Sequence, residues 1–490
     1  MKKLLLLTVV LSVPLSAVFG FGQKESLLDE PPPTPTELEE YAGGASGYGS
    51  APASGGSAAE EEELVLTVER AVEIARERNL DLKDQAVDLR IKERQADYAW
   101  NELVPSVQVS GTMSRMNAEQ EQMVGFDVTG PVYETAPQWG ISAGLDFSLT
   151  LNAALFKAIE ATRKEWQAEE ISYEQAEAKL EKEVKKSFYN LLLMQEQRKL
   201  QVEQIETARE RYEQARINYQ SGLGPELTVL DAQVAYENQK PALKEMDLGY
   251  RQALQGFKMN LGIDLEREIS LEGSIEGDPV RLEAEELVSR YMGRRYDVRS
   301  LVANINTMED QYTANKLRAV TPTLSLGLNF DPSFQEDPWE DPWFSDISKD
   351  WDQRSGMFRL TIAMSLEGLL PFSKTQVGLR ELEDNIGKMR IGLQQAMRGA
   401  EMEISNTVDQ IEKSRDTLET LQLNVRRAER AYELAEEAYN AGSKELLEVK
   451  DTQDELQKAR FEVLKEQYNY VSALLDLEHA INASVEEAAE

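Results

Sequence analysis

Two helical segments of unusual length constrain the fold more strongly than any other feature of the sequence. Residues 153–219 contain neither proline nor glycine and are rich in Glu, Lys, Gln and Ala, and residues 373–439 have a similar composition with four glycines. At about 1.5 Å per residue, each segment would form a helix about 100 Å long, roughly three times the thickness of a bilayer core. Helices of this length do not fit inside a globular domain, so the pattern predicts an elongated, mainly α-helical protein.

Each long segment is predicted to be one arm of a helical hairpin. Apolar and alanine residues recur in it at spacings of three and four, which is typical of coiled-coil packing. Gly222 and Gly442 follow the two segments, and glycine in this position closes a helix because it readily adopts a positive φ. A return helix is predicted after each glycine, over about 226–261 and 445–482. Two further helices are predicted, one before each long segment, over about 68–102 and 282–319.

The hairpins belong to an internal duplication with an offset of about 216 to 220 residues. The motif Tyr-Glu-x-Ala-x3-Tyr-x2-Gly occurs at 212–222 and again at 432–442. The motif Leu-x-Val-x-Asp-x-Gln follows at 227–233 and at 447–453, and further matches lie upstream in the same order. Chance similarity between heptads would not place several matching motifs in the same order over such a distance. The chain is therefore predicted to contain two copies of one fold.

Each half also contains two segments in which apolar residues alternate with polar or small ones. Segments of about ten residues with one apolar face are what the lipid-facing strands of a membrane barrel require. A soluble sheet with one buried face is the alternative, but four isolated strands among long helices would make a poor soluble sheet. The four predicted strands cover about 103–114, 139–151, 321–330 and 357–367.

Four strands cannot close a barrel by themselves. An open edge in lipid leaves backbone groups unpaired, at a cost of several kcal/mol each. Eight strands is the practical minimum for a membrane barrel, so the chain must form an oligomer: a dimer would supply eight strands and a trimer twelve. Because a twelve-stranded barrel leaves an open lumen whereas an eight-stranded one is filled by side chains, a channel favours the trimer.

Two segments connect the predicted strands. Residues 116–138 are polar and are predicted to form a loop. Residues 331–352 are acidic and contain three tryptophans. An acidic loop folded over the barrel mouth, an interfacial aromatic belt and a receptor-contact surface are all compatible with this second segment.

The ends of the chain complete the predicted domain division. Lys2 and Lys3 precede an apolar run, which predicts a secretory signal peptide over 1–20. A membrane anchor is the alternative, but the run is shorter than the roughly 20 residues that a span needs. Residues 21–63 are rich in Pro, Gly and Ser and are predicted to be a disordered spacer, with a proline-rich ligand as the alternative. The remaining divisions are a first repeat over 64–275 with its tip near 222, a second repeat over 276–483 with its tip near 442, and an acidic tail over 484–490.

The composition excludes several classes of function. The chain has 53 Lys plus Arg against 88 Asp plus Glu, a net charge of −35, and so acidic a protein is a poor partner for nucleic acid. It has no cysteine, and its one histidine is His479, which leaves little room for a histidine-ligated metal or a Ser-His-Asp triad. We therefore predict no enzyme activity, no catalytic residue, no cofactor and no metal. A secreted hydrolase with paired carboxylates is disfavoured because the sequence has no cleft-forming α/β pattern.

The sequence resembles the TolC family of outer-membrane efflux proteins over about 64–483. The resemblance rests on the leading Leu-Thr-Val-Glu-Arg-Ala-Val-Glu-Ile-Ala of 66–75, on Leu-Val-Pro-Ser at 103–106, and on Tyr-Gln-Ser-Gly and Tyr-Asn-Ala-Gly at 219–222 and 439–442. It implies a homotrimer with a twelve-stranded β-barrel in the cell outer membrane, in contact with lipid, and an α-helical tunnel across the periplasm. It also implies a periplasmic adaptor protein and an inner-membrane exporter as partners. The strand-to-helix join after 146–152 departs from the family's Pro-Leu-Phe-x-x-Gly pattern.

The resemblance further implies an acidic constriction at the tunnel tip. Glu448 and Asp451 match acids that narrow the closed tunnel in relatives, and they lie about one helical turn apart on one face. In a trimer they would place six carboxylates around one axis, which would repel anions and bind cations. Asp231, at the corresponding position of the first hairpin, is a further candidate. Without the resemblance, a solvated helix face explains Glu448 and Asp451 equally well.

Other residues near the tips receive roles from the same resemblance. Tyr439 and Lys444 match residues that hold neighbouring hairpins together in the closed state, whereas seam packing and compensation of helix-end charge are the simpler explanations. Thr228 occupies a position where an acid is expected, so one ionic lock is predicted to be missing. The predicted adaptor contacts at the tips are Gly222, Leu223, Gly442 and Ser443.

The function predicted from these features is a passive outer-membrane exit duct for efflux or secretion. It would be opened at the tip by splaying of the inner helices and driven by the partner pump. The alternative is a non-conducting, periplasm-spanning coiled-coil protein that acts as a structural element or adaptor. The four alternating strands argue against this alternative.

Overall fold

The computed structural model describes residues 64–489 except 119, 137, 276, 278, 335–355, 442 and 445. The described residues belong to one compact unit, Glu63–Glu490. The predicted signal peptide and spacer lie outside the described residues, as do Gly442 and most of the tryptophan-containing segment. Among the helices within the described ranges, none is long and apolar enough to cross a membrane.

The first half of the chain ends in a hairpin of two helices, the longer of 67 residues. Its elements, in order, are β1 (Leu64–Leu66), α1 (Val68–Arg78), α2 (Leu80–Asp97), a 3-10 turn (Ala99–Leu103), β2 (Ser106–Arg115), β3 (Glu121–Asp127), β4 (Gly130–Thr135), β5 (Trp139–Leu151), α3 (Ala154–Gln220), α4 (Glu226–Leu261) and β6 (Ile269–Leu271).

The second half repeats this plan, again with a 67-residue helix that runs through all four of its glycines. Its elements, in order, are α5 (Ala284–Tyr291), a 3-10 turn (Met292–Arg294), α6 (Tyr296–Val320), β7 (Thr323–Phe330), β8 (Ser333–Phe334), β9 (Gly356–Ala363), a 3-10 turn (Leu366–Leu369), α7 (Lys374–Asn440), α8 (Leu446–Ile481) and α9 (Val485–Ala489).

The helix predicted over 68–102 is wrong, because the chain breaks at Asn79. The Asn79 side chain is buried; its Oδ1 accepts a hydrogen bond from the Leu82 amide (2.8 Å) and its Nδ2 donates one to the carbonyl of Asn260 (2.8 Å). Asn79 therefore ends α1 and caps α2 at the same time. The second half breaks at the equivalent Arg295, which is also buried and pairs with Asp297 (2.9 Å) and Glu403 (2.8 Å).

One antiparallel sheet collects strands from both halves in the order β2-β5-β7-β9, with β8 beside β5. Helix α8 packs between α7 and α3, and α6 packs between α3 and α7, so the two hairpins lie side by side. Buried apolar residues form one cluster around Phe188, Leu191 and Phe257 and another around Tyr291 and Ile404. The first cluster also includes Val471 of α8, so the two repeats share part of their core.

The joins from strand to helix use polar caps. In the first half, where the usual motif is missing, Asn152 Oδ1 accepts a hydrogen bond from the Leu155 amide (3.1 Å). In the second half, Ser373 Oγ accepts one from the Gln376 amide (3.1 Å). Capping side chains satisfy amides that a helix start leaves without intrahelical partners. The strand predicted over 357–367 ends earlier than expected, at Ala363.

The loop predicted over 116–138 is instead largely a hairpin. Strands β3 and β4 pair antiparallel, and the turn between them is closed by Asp127, whose Oδ1 accepts hydrogen bonds from the amides of Thr129 (2.6 Å) and Gly130 (3.1 Å). The polar composition concealed the alternation in this segment, but Asp127 and Gly130, three positions apart, are a turn signal.

Gly262 generates the first prediction. It ends α4 with a φ of +65°, and a Cβ at this position would collide with the carbonyl of Arg78, where α1 ends. Gly262→Ala should therefore lower stability by about 2–3 kcal/mol, because strain and overlap add. Gly256→Ala is the control: this glycine lies inside α4 with open space around it, and alanine there should stabilise by about 0.5–1 kcal/mol. Thermal unfolding midpoints followed by circular dichroism would show opposite shifts, and equal midpoints would contradict the packing described.

Candidate functional site: the sheet and the hairpin tips

One face of the sheet is continuously apolar. On β7, Leu324, Leu326, Leu328 and Phe330 are exposed, whereas the residues between them are half-buried. The strand register carries this face across the sheet, since apolar residues pair with apolar residues or with glycine, except for Arg115 opposite Trp139 at the end of β2. The aligned rows are Leu149 with Leu326 and Leu360, Phe147 with Val107, Leu328 and Phe358, and Leu145 with Val109 and Phe330.

The opposite face of the sheet is polar or small except at Met357, which pairs with Asn329. A sheet with one apolar and one polar face is typical of a membrane barrel, in which the apolar face contacts lipid and the polar face contacts water. Because side chains alternate along a strand, a register slip by one residue would exchange the two faces, so the observed register is strongly specified. The aligned rows are Asp146 with Gln108 and Asn329, Ser148 with Ser106 and Gly327, Gly327 with Arg359, and Thr150 with Ser325 and Thr361.

The sheet has two open edges. Among the described strands, β2 pairs only with β5, and β9 pairs only with β7. The outer backbone groups of both edge strands therefore lack partners within one protomer, which makes them ready to pair with another chain.

The first hairpin tip is closed by backbone hydrogen bonds. Gly222 has a φ of +73°, and the Leu223 amide donates to the carbonyl of Asn218 (2.8 Å). Pro225 then precedes the first residue of α4 and has no amide hydrogen to leave unsatisfied. The Leu223 side chain is 80% exposed, so the tip presents an apolar group to its surroundings.

The second tip has the same backbone plan. The Ser443 amide donates to the carbonyl of Ala438 (2.9 Å), as Leu223 does to Asn218 in the first tip. The Ser443 hydroxyl donates to the same carbonyl (2.9 Å). The two tips thus share a backbone hydrogen bond and differ in the side chain that they expose, Leu223 in the first and Ser443 in the second.

Both acids predicted to form the constriction have cationic partners within the protomer. Lys444 Nζ lies 3.2 Å from Glu448 Oε2, so the structure brings a predicted latch residue and a predicted constriction residue together. Asp451 pairs with Arg211, which belongs to α3 of the other hairpin. The Arg211 guanidinium also lies 3.5 Å from Asp454 Oδ2.

These contacts form a cross-hairpin cluster of Glu210, Arg211, Lys450, Asp451 and Asp454. Lys450 Nζ lies 3.6 Å from Glu210 Oε2, which adds a further ion pair between α8 and α3 near the tips. The Asp454 side chain is only 20% exposed, and its burial raises the pKa of its carboxyl above the ordinary value although Arg211 lowers it. The cluster joins the two hairpins near their tips.

The other predicted site residues are not brought into this cluster. Asp231 is exposed on α4 and makes no ion pair within the described residues of the protomer. Tyr439 is exposed near the end of α7, and in the described part of the chain its hydroxyl does not meet Lys444. Their roles remain predictions.

Arg211 and Asp454 were not among the residues predicted from the sequence. The repeat itself carried the signal: with an offset of 220 residues, Arg211 corresponds to Ala431 and Asp454 to Val234. The two hairpins therefore differ in charge at the positions that contact each other. Positions at which the two repeats differ in this way therefore indicate residues with a role that has no counterpart in the other repeat.

The described residues offer no group of three or more His, Cys, Asp or Glu side chains that could hold a metal ion. His479 is half-buried near the end of α8, where burial and then Lys182 lower its pKa. It is therefore neutral at neutral pH and packs between helices.

Comparison with known proteins identifies the fold. A sequence model of the family described as outer membrane efflux protein matches residues 71–262 and 287–483. The two matches coincide with the two halves of the chain and confirm the predicted duplication. No significant match was found among curated proteins.

Solved structures with the same fold are membrane proteins of low sequence identity. The Campylobacter jejuni CmeC outer membrane channel is 17% identical with a TM-score of 0.68, over 84% of this chain and 85% of that one. CusC is 17% identical with a TM-score of 0.66, over 88% and 96%. A membrane protein from Pseudomonas aeruginosa is 17% identical with a TM-score of 0.66, over 84% and 93%. The predicted mainly α-helical, twice-repeated fold is confirmed.

The two faces of the sheet generate the second prediction. Leu326 lies on the apolar face and its neighbour Ser325 on the polar face. An arginine at 326 should cost about 2–4 kcal/mol if this face contacts lipid, whereas an arginine at 325 would reach water. Leu326→Arg should therefore reduce the amount of folded protein recovered from the outer-membrane fraction, and Ser325→Arg should leave it nearly unchanged. Equal recovery of the two variants would show that the apolar face does not meet lipid.

Proposed function

The chain belongs to the outer membrane efflux protein family, and from this membership we propose that it is the passive exit duct of an efflux or secretion system. The duct is coupled through a periplasmic adaptor to an inner-membrane exporter, which supplies the energy. The observation that carries the proposal is the four-stranded sheet, with one continuous apolar face, a polar opposite face and two open edges. The exposed Leu223 and Ser443 at the two tips are the proposed adaptor contacts.

Three copies of the chain complete the barrel. Neighbouring strands are antiparallel throughout the order β2-β5-β7-β9, so β9 of one protomer has the correct direction to pair with β2 of the next. Closure satisfies every edge group, which lipid requires. The polar face carries Asp146 and Arg359, and charged side chains favour the water-filled lumen of twelve strands over the filled interior of eight.

The alternative is a non-conducting coiled-coil stalk or adaptor. Such a protein gains its length from helices alone and has no need of a sheet with an apolar outer face. The sheet therefore favours the duct.

The third prediction is that the oligomer conducts ions. The folded, detergent-purified oligomer should insert into planar lipid bilayers and produce discrete conductance steps, because a twelve-stranded lumen holds water. A heat-denatured sample of the same preparation is the control. A closed tip could keep the duct silent, so Glu448→Ala/Asp451→Ala should be measured beside it. If the folded oligomers of both proteins fail to conduct, the duct is wrong and the stalk is favoured.

The aperture and its latch share residues. We assign Glu448 and Asp451, with Asp231 as a further member, to the constriction at the tip. Arg211 then acts as the latch, because α8 cannot move away from α3 without separating Arg211 from Asp451 and Asp454. Tyr439 and Lys444 remain candidates for contacts between hairpins. Adaptor binding would shift the balance toward the splayed state.

The fourth prediction separates the latch from the constriction. Arg211→Gln should raise conductance and keep or increase cation selectivity, because it frees α8 while retaining the carboxylates. Glu448→Ala/Asp451→Ala should also raise conductance but weaken cation selectivity. Arg209→Gln is the matched control, since Arg209 lies nearby on α3 and, among the described residues, pairs only with Glu206 (3.4 Å) and Glu213 (3.3 Å) of its own helix.

Single-channel conductance and reversal potentials in a salt gradient measure both properties. If Arg211→Gln behaves like Arg209→Gln, the cross-hairpin cluster does not hold the tip closed. If the double alanine variant keeps the selectivity of the unmodified protein, the aperture lies elsewhere.

A further inference from the structure

A groove lies where the sheet meets the helices of the second repeat. It has a volume of about 480 Å³. Its walls are the last turns of α6 and the first turns of α7, and the segment after β9 completes it. We call it the join groove. The polar residues and one of the glycines that line it are Asn315, Arg318, Ser365, Gly368, Lys374 and Thr375.

The join groove is positively charged in a strongly acidic protein. Arg318 and Lys374 line it, and no Asp or Glu does, although the chain has 88 acidic residues. The acids next to lining residues in the sequence are Glu367, Glu381 and Glu383; all three are exposed, and none of them lines the groove. Within the described ranges neither Arg318 nor Lys374 forms an ion pair, so both charges are available to an anion.

The polar residues of the groove complement these two charges. Asn315, Ser365 and Thr375 line it together with Arg318 and Lys374. Amide and hydroxyl groups donate hydrogen bonds to phosphate oxygens, and cations beside them provide the charge. The lining therefore matches a phosphate group.

The floor of the groove is fixed by a close backbone contact. Gly368 packs against the carbonyl of Ala319 so tightly that a Cβ would overlap it. The Gln376 side chain donates to the carbonyl of Gly368, which ties the floor to the first turn of α7. Ala319 and Leu379 are buried beneath it. These contacts fix the shape of the groove.

Exposed apolar side chains lie in the segment between β9 and α7 that contributes Ser365 and Gly368 to the groove. Leu366 is 69% exposed, Leu369 is 54% exposed and Phe372 is 81% exposed. They follow directly after β9, whose Leu360 and Ile362 are also exposed and are in register with the apolar face. Aromatic and apolar side chains beyond the end of a membrane strand are typical of the membrane–water interface. The groove therefore opens at the level of lipid headgroups.

We propose that the join groove binds the headgroup of an anionic phospholipid in the leaflet that faces the periplasm. The phosphate lies between Arg318 and Lys374, and Asn315, Ser365 and Thr375 donate hydrogen bonds to it. The acyl chains extend along Leu366, Leu369 and Phe372 toward the apolar face of the sheet. The proposal rests on the proposed function for its orientation, with the strands in the outer membrane and the helices in the periplasm.

The test compares lipid binding by the unmodified protein and by Arg318→Gln/Lys374→Gln. The probes are phosphatidylglycerol and phosphatidylcholine in mixed micelles, and the readouts are lipid retained per chain by native mass spectrometry and the shift in thermal midpoint. The unmodified protein should retain about one phosphatidylglycerol per chain and be stabilised by it more than by phosphatidylcholine. The double variant should bind phosphatidylglycerol about ten- to thirty-fold more weakly and lose the preference.

Lys413→Gln/Arg426→Gln is the charge-matched control, because both residues are exposed on α7 away from the join and make no ion pair among the described residues. It should keep the preference. The proposal is overturned if the two lipids bind alike, if the groove variant retains the preference, or if inorganic phosphate at equal concentration displaces phosphatidylglycerol, which would indicate a site for soluble anions. Conductance measured on the same preparations distinguishes this failure from a failure of the duct.

Discussion

The need to pair every backbone group that lies in lipid is the constraint on which the rest of this structure depends. A bilayer core contains no water that could bond to a free N–H or C=O, so a sheet must be closed before it can reside there. Each chain supplies four strands in the order β2-β5-β7-β9 and leaves two edges open. In the proposed duct the membrane portion is therefore incomplete without further copies of the chain, and their pairing would bring the long hairpins of neighbouring copies together.

The duplication supplies one backbone plan twice, and the differences between the copies carry specific contacts. Asn79 and Arg295 occupy equivalent positions and break equivalent helices, one with an amide cap and the other with buried ion pairs. Near the tips, Arg211 has Ala431 as its counterpart. The pairing of Arg211 with Asp451 therefore has no duplicate. The contact between the two hairpins of one chain thus depends on a residue that only the first repeat carries.

Much of the fold could be predicted from sequence because its signals are local and long. Helical periodicity over 67 residues and a tip glycine place α3 and α4 closely, and the return helix predicted over 226–261 has those bounds in the structure. Alternation likewise indicates β5 and β7. The break at Asn79 and the hairpin at 121–135 depend on single capping side chains, which periodicity does not detect. Arg211 and Asp451 lie 240 positions apart, and only the packing of α8 on α3 joins them.

In the proposed duct, the ion pairs that hold the tip closed also neutralise its acids. Lys444 faces Glu448, and Arg211 faces Asp451 and Asp454. Six unpartnered carboxylates around one axis would repel one another strongly, so these cations lower the cost of the closed state. Movement of α8 away from α3 removes Arg211 from its acids and exposes their charge to the widening lumen. Opening therefore increases the negative potential at the aperture, and the open duct should prefer cations more than the closed one does.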